Sequence, residues 1–118
     1  MDDLVGLRQR FAADMVRGID ELSSQGYDAT YFRRMLANHG PIEAVRRLVM
    51  ASTPSSGLWR LQELHRLDLS AEMWVLLPWY EPLFAPGVRE KAERKLRQLG
   101  VDVSAELARV IVRLSGTE

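Results

Sequence analysis

A chain of 118 residues, 47% hydrophobic and 27% charged, has the makeup of a single ordinary globular domain, and its 16 basic and 16 acidic groups leave no net charge to draw the whole molecule to a polyanion. The absence of cysteine excludes intrachain disulfides, thiol redox chemistry and Cys-ligated zinc or iron. No apolar run approaches about 18 residues, and the start Met1, Asp2, Asp3 is acidic where a secretory leader is basic, so a cytoplasmic protein is expected.

From Leu4 to Leu22 the residues Leu4, Leu7, Phe11, Met15, Ile19 and Leu22 recur every three or four positions, which places them on one side of a helix over residues 3 to 25 that ends at Gly26. Gly6 and Gly18 lower the helix propensity of this segment, so packing must supply part of its stability. Asp28 is the expected cap of a second helix, with Tyr27 and Phe32 as its hydrophobic staple and Met35 and Leu36 on its apolar side. Gly40 turns the chain into Pro41, a favoured first residue of a third helix that buries Ile42, Val45, Leu48 and Val49.

Ser52, Thr53, Pro54, Ser55, Ser56 and Gly57 form the expected mobile loop, followed by a fourth helix with Leu58, Leu61 and Leu64 inward. At Arg66 to Glu72 the pattern predicts a turn held by an Arg66–Asp68 pair, then a helix capped by Ser70 and stapled by Leu69 and Trp74. Pro78 and Pro82 confine the next stretch to a turn or a single helical turn, with Trp79, Leu83 and Phe84 as packing anchors. A charged surface helix over residues 87 to 99 keeps Val88, Ala92, Leu96 and Leu99 inward and stops at Gly100. Ser104 caps a terminal helix striped by Leu107, Val110, Ile111 and Leu114; the lone pair Val101 and Val103 does not supply a sheet. The expected fold is therefore all-α, a bundle of about five to seven helices with a long first helix, spanning residues 1–118 as one domain.

Charge is unevenly spread. Residues 29 to 66 carry six arginines against two acidic residues, and residues 2 to 28 carry six acidic residues against three basic. Arg33 and Arg34 before Gly40, with Arg46 and Arg47 after it, are the candidate polyanion contacts. A helix-turn-helix fits poorly there, because Ile42 and Val45 demand burial where a recognition helix exposes its early side chains, and the pair of segments over residues 89 to 114 fits no better. His39, Glu43 and His65 are an incomplete metal or acid–base set: Gly40 and Pro41 break the helix between the first two, and no nucleophile accompanies either histidine. No glycine-rich phosphate cradle is present, and the serines at 52 to 56 have no base at motif spacing, so no cofactor, metal or catalytic residue is expected.

Trp59, beside Leu58 at the solvent side of a helix start, is the best candidate for an exposed protein anchor, while Trp74 reads as core. The stripe Leu4, Leu7, Phe11, Met15, Ile19 and Leu22 provides about five turns of apolar surface and predicts a homodimer through the first helix; packing against the final helix is the competing outcome.

Phe32, Met35 and Leu36, the run Gly40-Pro41-Ile42-Glu43-Ala44, then Gly57, Leu61, Arg66-Leu67-Asp68-Leu69-Ser70 and Glu72, and finally Pro78, Leu83 and Phe84 together resemble a recurring small bacterial helical module of unassigned activity. The resemblance covers residues 27–100, about three-fifths of the chain. Its use at the ends of otherwise different proteins implies a docking or accessory role. The functional expectation is accordingly a noncatalytic protein-interaction domain. A nucleic-acid-binding regulator is the alternative, and an enzyme with a site assembled from distant residues comes third.

Overall fold

The first helix, α1 (Asp3–Ser24), runs about 33 Å at about 1.5 Å per residue and forms one long side of the molecule. In the computed structural model, which describes residues 3–27, 29–51 and 56–115, it is followed by α2 (Thr30–His39), α3 (Pro41–Met50), α4 (Ser56–Glu63), α5 (Ala71–Leu76), α6 (Pro86–Gln98) and α7 (Val103–Ser115). Two 3₁₀ segments, Leu67–Leu69 and Pro78–Leu83, flank α5. The described residues therefore form an all-α bundle with a long first helix, and hold more helical segments than the five to seven expected. The extra ones are the turn at Asp68 and the stretch between the prolines, both wound into 3₁₀ geometry.

The centre is α5, all six of whose residues are buried. It packs against α3, α6 and both 3₁₀ segments, while α1 lies across α3 and the 3₁₀ segments. Phe11 is fully buried and meets Tyr80, Phe84 and Trp74 edge to face at centroid distances of 4.8, 5.4 and 6.4 Å. Such pairs add to the burial of the rings themselves.

Helix ends follow from local chemistry. The amides of Tyr27 and Gly26 reach back to the carbonyls of Leu22 and Ser23, and those of Val101 and Gly100 to Leu96 and Arg97, closing α1 and α6 with left-handed glycines at φ 85° and 83°. The same closure ends α4, where Arg66 and His65 donate to Leu61 and Gln62, and there His65 takes the left-handed position at φ 58°. Ser70 caps α5 as expected, its hydroxyl accepting from the Met73 amide at 3.0 Å and donating to the Leu67 carbonyl at 2.8 Å. The cap of α7 is Asp102 and not Ser104: Asp102 Oδ1 accepts from the Ala105 amide at 3.2 Å, and the helix begins one residue before Ser104. The expected cap Asp28 and most of the expected loop lie outside the described residues, and Ser56 and Gly57 already belong to α4.

Lys95 is the largest departure from the sequence reading of α6. It is buried, 2% exposed; its ammonium contacts Glu72 Oε2 at 3.0 Å and donates to the carbonyls of Leu48 and Val49 at 2.9 and 3.3 Å. One charge on α6 thus meets the last carbonyls of α3 and the carboxylate of α5. Arg89, a turn and a half earlier, donates to the carbonyls of Val75 and Leu76 at the end of α5, at 2.8 and 3.1 Å. Gln62 of α4 in turn donates to the Leu99 carbonyl that ends α6, at 2.8 Å. Carbonyls that helix geometry leaves without partners are in this way used to join neighbouring helices.

Candidate functional site: two clefts either side of Trp74

The apolar stripe on α1 is divided between two clefts. Phe11 and Met15 line a groove of about 450 Å³ between α1 and α7, together with Leu77, Tyr80, Val110 and Leu114. Ile19 and Leu22 line a second cleft of about 400 Å³, bounded by α2, α4 and α5. Leu69 and Trp74 line both and form the wall between them. Gly18 makes that wall close-fitting: a Cβ there would stand 2.9 Å from Trp74 Cζ2.

Charged residues of both signs edge the groove. Asp14 pairs with Arg17 and, at 4.0 Å, with Arg10, whose guanidinium lies 5.4 Å from the Trp79 ring centroid. The Tyr80 hydroxyl donates to Asp14, and burial together with that carboxylate pushes the phenol well above its usual range. Tyr80 is therefore a fixed donor and not a base. At the other end Asp68, 8% exposed, accepts from Arg66 at 3.1 Å and meets Arg113 at 2.9 Å, while Arg66 also reaches Glu21 at 2.6 Å. This network ties α1, the turn after α4 and α7 together, and it includes the Arg66–Asp68 pair expected from sequence. At the Arg10 end the Trp79 indole nitrogen is buried without a hydrogen-bond partner among the described residues.

The second cleft is mainly apolar. Phe32 stacks near Trp74 with centroids 6.3 Å apart and Tyr31 stands exposed at the rim. Its one carboxylic acid among the described residues is Glu72, the partner of Lys95.

The residues expected to form a protein interface are distributed differently from the expectation. Phe11, Met15, Ile19 and Leu22 are at most 3% exposed, and Leu4 and Leu7 are partly buried. Those four are covered by their own chain. The sequence argument counted the cover available from the final helix alone, whereas α3 and the 3₁₀ segments supply most of it. Trp59 is 47% exposed.

All four candidate polyanion contacts are exposed, but three face acids. Arg46 and Arg47 share Glu43 at 2.6 and 2.8 Å, and Arg33 lies 3.4 Å from Asp20. Those two hydrogen bonds pull the Glu43 carboxyl down to about 2. His39 ends α2 and His65 ends α4, and among the described residues no group of three His, Asp or Glu is arranged to hold a metal. No helix among them is long and apolar enough to cross a membrane.

Sequence reasoning missed Glu72 and Lys95 as a buried pair. The signal was present: Lys95 falls seven residues after Val88 and three after Ala92, on the inward arc of α6, but its charge placed it with the solvent-facing lysines. No family model, curated protein or solved structure matches the chain.

Proposed function

We propose that this chain is a noncatalytic protein-interaction module that takes a short amphipathic helix of a partner protein into the groove between α1 and α7. The observation behind this reading is the groove itself, whose accessible apolar surface is Ala13, Leu69, Trp79 and Leu114 over a buried floor of Phe11, Met15, Leu77 and Val110, with an edge carrying Arg10, Asp14, Arg17 and Glu21. A helix laid in such a groove buries one apolar side and meets charges of both signs along its flanks. From Arg10 to Glu21, α1 presents about three turns, enough for two or three apolar anchors of a partner helix. Leu114, 54% exposed at the lip, adds apolar surface that the chain itself does not cover. The resemblance of residues 27–100 to a module carried at the ends of different proteins suits the same role, although the groove also draws on α1 and α7 outside that stretch.

A nucleic-acid-binding regulator has thinner support, since only Arg34 of the four candidate arginines meets no acid among the described residues. Tryptophan fluorescence separates the readings, because Trp74 and Trp79 both line the groove. Amphipathic helical peptides with mixed-charge flanks are expected to shift the emission, and to bind at least about tenfold more weakly to Leu114→Arg, which alters an exposed lip residue and leaves the core intact. A panel that produces no shift, or binding indifferent to Leu114→Arg, overturns the proposal. Tight, sequence-selective DNA or RNA binding at physiological salt would favour the regulator.

A further inference from the structure

The second cleft differs from the groove in having a single charged side chain among its described lining residues. Glu72 lines it and is 5% exposed; Lys95 reaches its Oε2 at 3.0 Å, and no other hydrogen-bond donor among the described residues reaches the carboxylate. Lys95 is fully committed, since an ammonium has three protons and Glu72, Leu48 and Val49 supply three acceptors. Trp79 Nε1 is the sealed side-chain polar atom without a partner among the described residues, so the free carboxylate oxygen is not sealed in the same way. The cleft is a space that its residue lines.

The geometry points to a binding site here for a small neutral molecule with an apolar, preferably aromatic body and one hydroxyl donor, which hydrogen-bonds to the free oxygen of Glu72. Its volume of about 400 Å³ falls within the range of about 300 to 1,000 Å³ common for ligand pockets. Phe32, Trp74 and the exposed Tyr31 provide ring surface for the body. The head group is decided by charge and valence. The Glu72–Lys95 pair is neutral as a unit, so a cationic ligand would bring an uncompensated charge into an apolar cleft, which is costly. A carboxylate or phosphate would meet the carboxylate, and no basic side chain among the described lining residues offsets the repulsion. A neutral hydroxyl gives the acceptor its missing partner and adds no charge, and a hydrogen bond to an ionised group is among the stronger kind.

The test compares three molecules of one shape, 4-propylphenol, its methyl ether and 4-propylbenzoate, by NMR titration of the full chain. The phenol is expected to bind about tenfold or more tightly than the ether, the benzoate not to saturate, and the shifts to fall on Ile19, Leu58 and Trp74. Equal affinities for phenol and ether, preference for the benzoate, or shifts centred on Trp79 and Leu114 would each overturn the assignment. These comparisons need no substitution, so they do not depend on a variant folding. The double variant E72L/K95M removes acceptor and charge together. It should abolish the preference for phenol over ether while still admitting both; a preference that persists would assign the hydrogen bond to another group, such as a tyrosine at the rim.

Discussion

At Gly18 an added Cβ would stand 2.9 Å from Trp74 Cζ2 and 3.3 Å from Leu69 Cδ2, whereas at Gly6 it would meet nothing within 4 Å. Both glycines are helical, so alanine gains about 0.8 to 1 kcal/mol of propensity at either place. At Gly6 that gain is unopposed, and Gly6→Ala should stabilise the chain by about 0.5 to 1 kcal/mol in urea denaturation. At Gly18 the buried indole must shift to admit the methyl group, so Gly18→Ala should destabilise by about 1 to 2 kcal/mol. The two glycines look alike in the sequence because what distinguishes them is a ring 56 residues away. Glu43 gives a residue-scale test in pH. Its folded-state pKa lies below the ordinary carboxylate value, so its pairing with Arg46 and Arg47 stabilises above the ordinary range and is lost as pH falls through about 2. The carboxyl carbon of Glu43 should titrate with a midpoint at about 2 in NMR. In an Arg46→Met, Arg47→Met variant it should return to about 4.3.

At the scale of elements, helices were legible wherever periodicity and local stop signals coincided. Gly26, Gly100 and Ser70 each announce a boundary through their own chemistry, and the boundaries fall there. The end of α4 gave no such signal because His65 occupies the left-handed position that glycine usually fills, and the start of α7 was misplaced because two capping residues, Asp102 and Ser104, compete for it. What periodicity could not distinguish was a charged residue held inside from one held outside, and α6 contains both. Lys95→Met leaves Glu72 buried without its ion-pair partner and should cost about 3 to 5 kcal/mol. E72L/K95M should recover all but about 2 kcal/mol of that loss, about 1 kcal/mol for each of the Leu48 and Val49 carbonyls that lose a donor. Arg97→Met, which breaks the exposed Arg97–Glu93 pair on the same helix, should stay within about 0.5 kcal/mol of the parent. Chemical denaturation of the four proteins reads all of these differences, and equal losses at positions 95 and 97 would contradict the buried placement of Lys95.

For the molecule as a whole, the clefts were illegible in the sequence because they arise between segments far apart in it: Met15 and Val110 both line the groove, and Leu22 and Leu58 both line the second cleft. The same long-range packing buries Phe11, Met15, Ile19 and Leu22 of the α1 stripe within the chain. Phe11 has no exposed surface and sits among Trp74, Tyr80 and Phe84, so Phe11→Asp should act on folding and not on pairing. Losing a buried phenylalanine costs about 3 to 5 kcal/mol, and placing a carboxylate in its position adds a desolvation penalty of several more. Against a total stability of about 5 to 15 kcal/mol for a domain, the sum is enough to abolish the cooperative transition. Val16, 52% exposed on the outer side of the same helix, provides the contrast. Val16→Asp should leave stability within about 0.5 kcal/mol, so its effect on sedimentation reports on association alone. Circular dichroism and sedimentation of both variants over a concentration series are expected to show an unfolded Phe11→Asp chain and a folded Val16→Asp chain. If the parent is a dimer and Val16→Asp is monomeric, copies pair through the outer side of α1; a folded, monomeric Phe11→Asp would instead show that the stripe was an intermolecular surface after all.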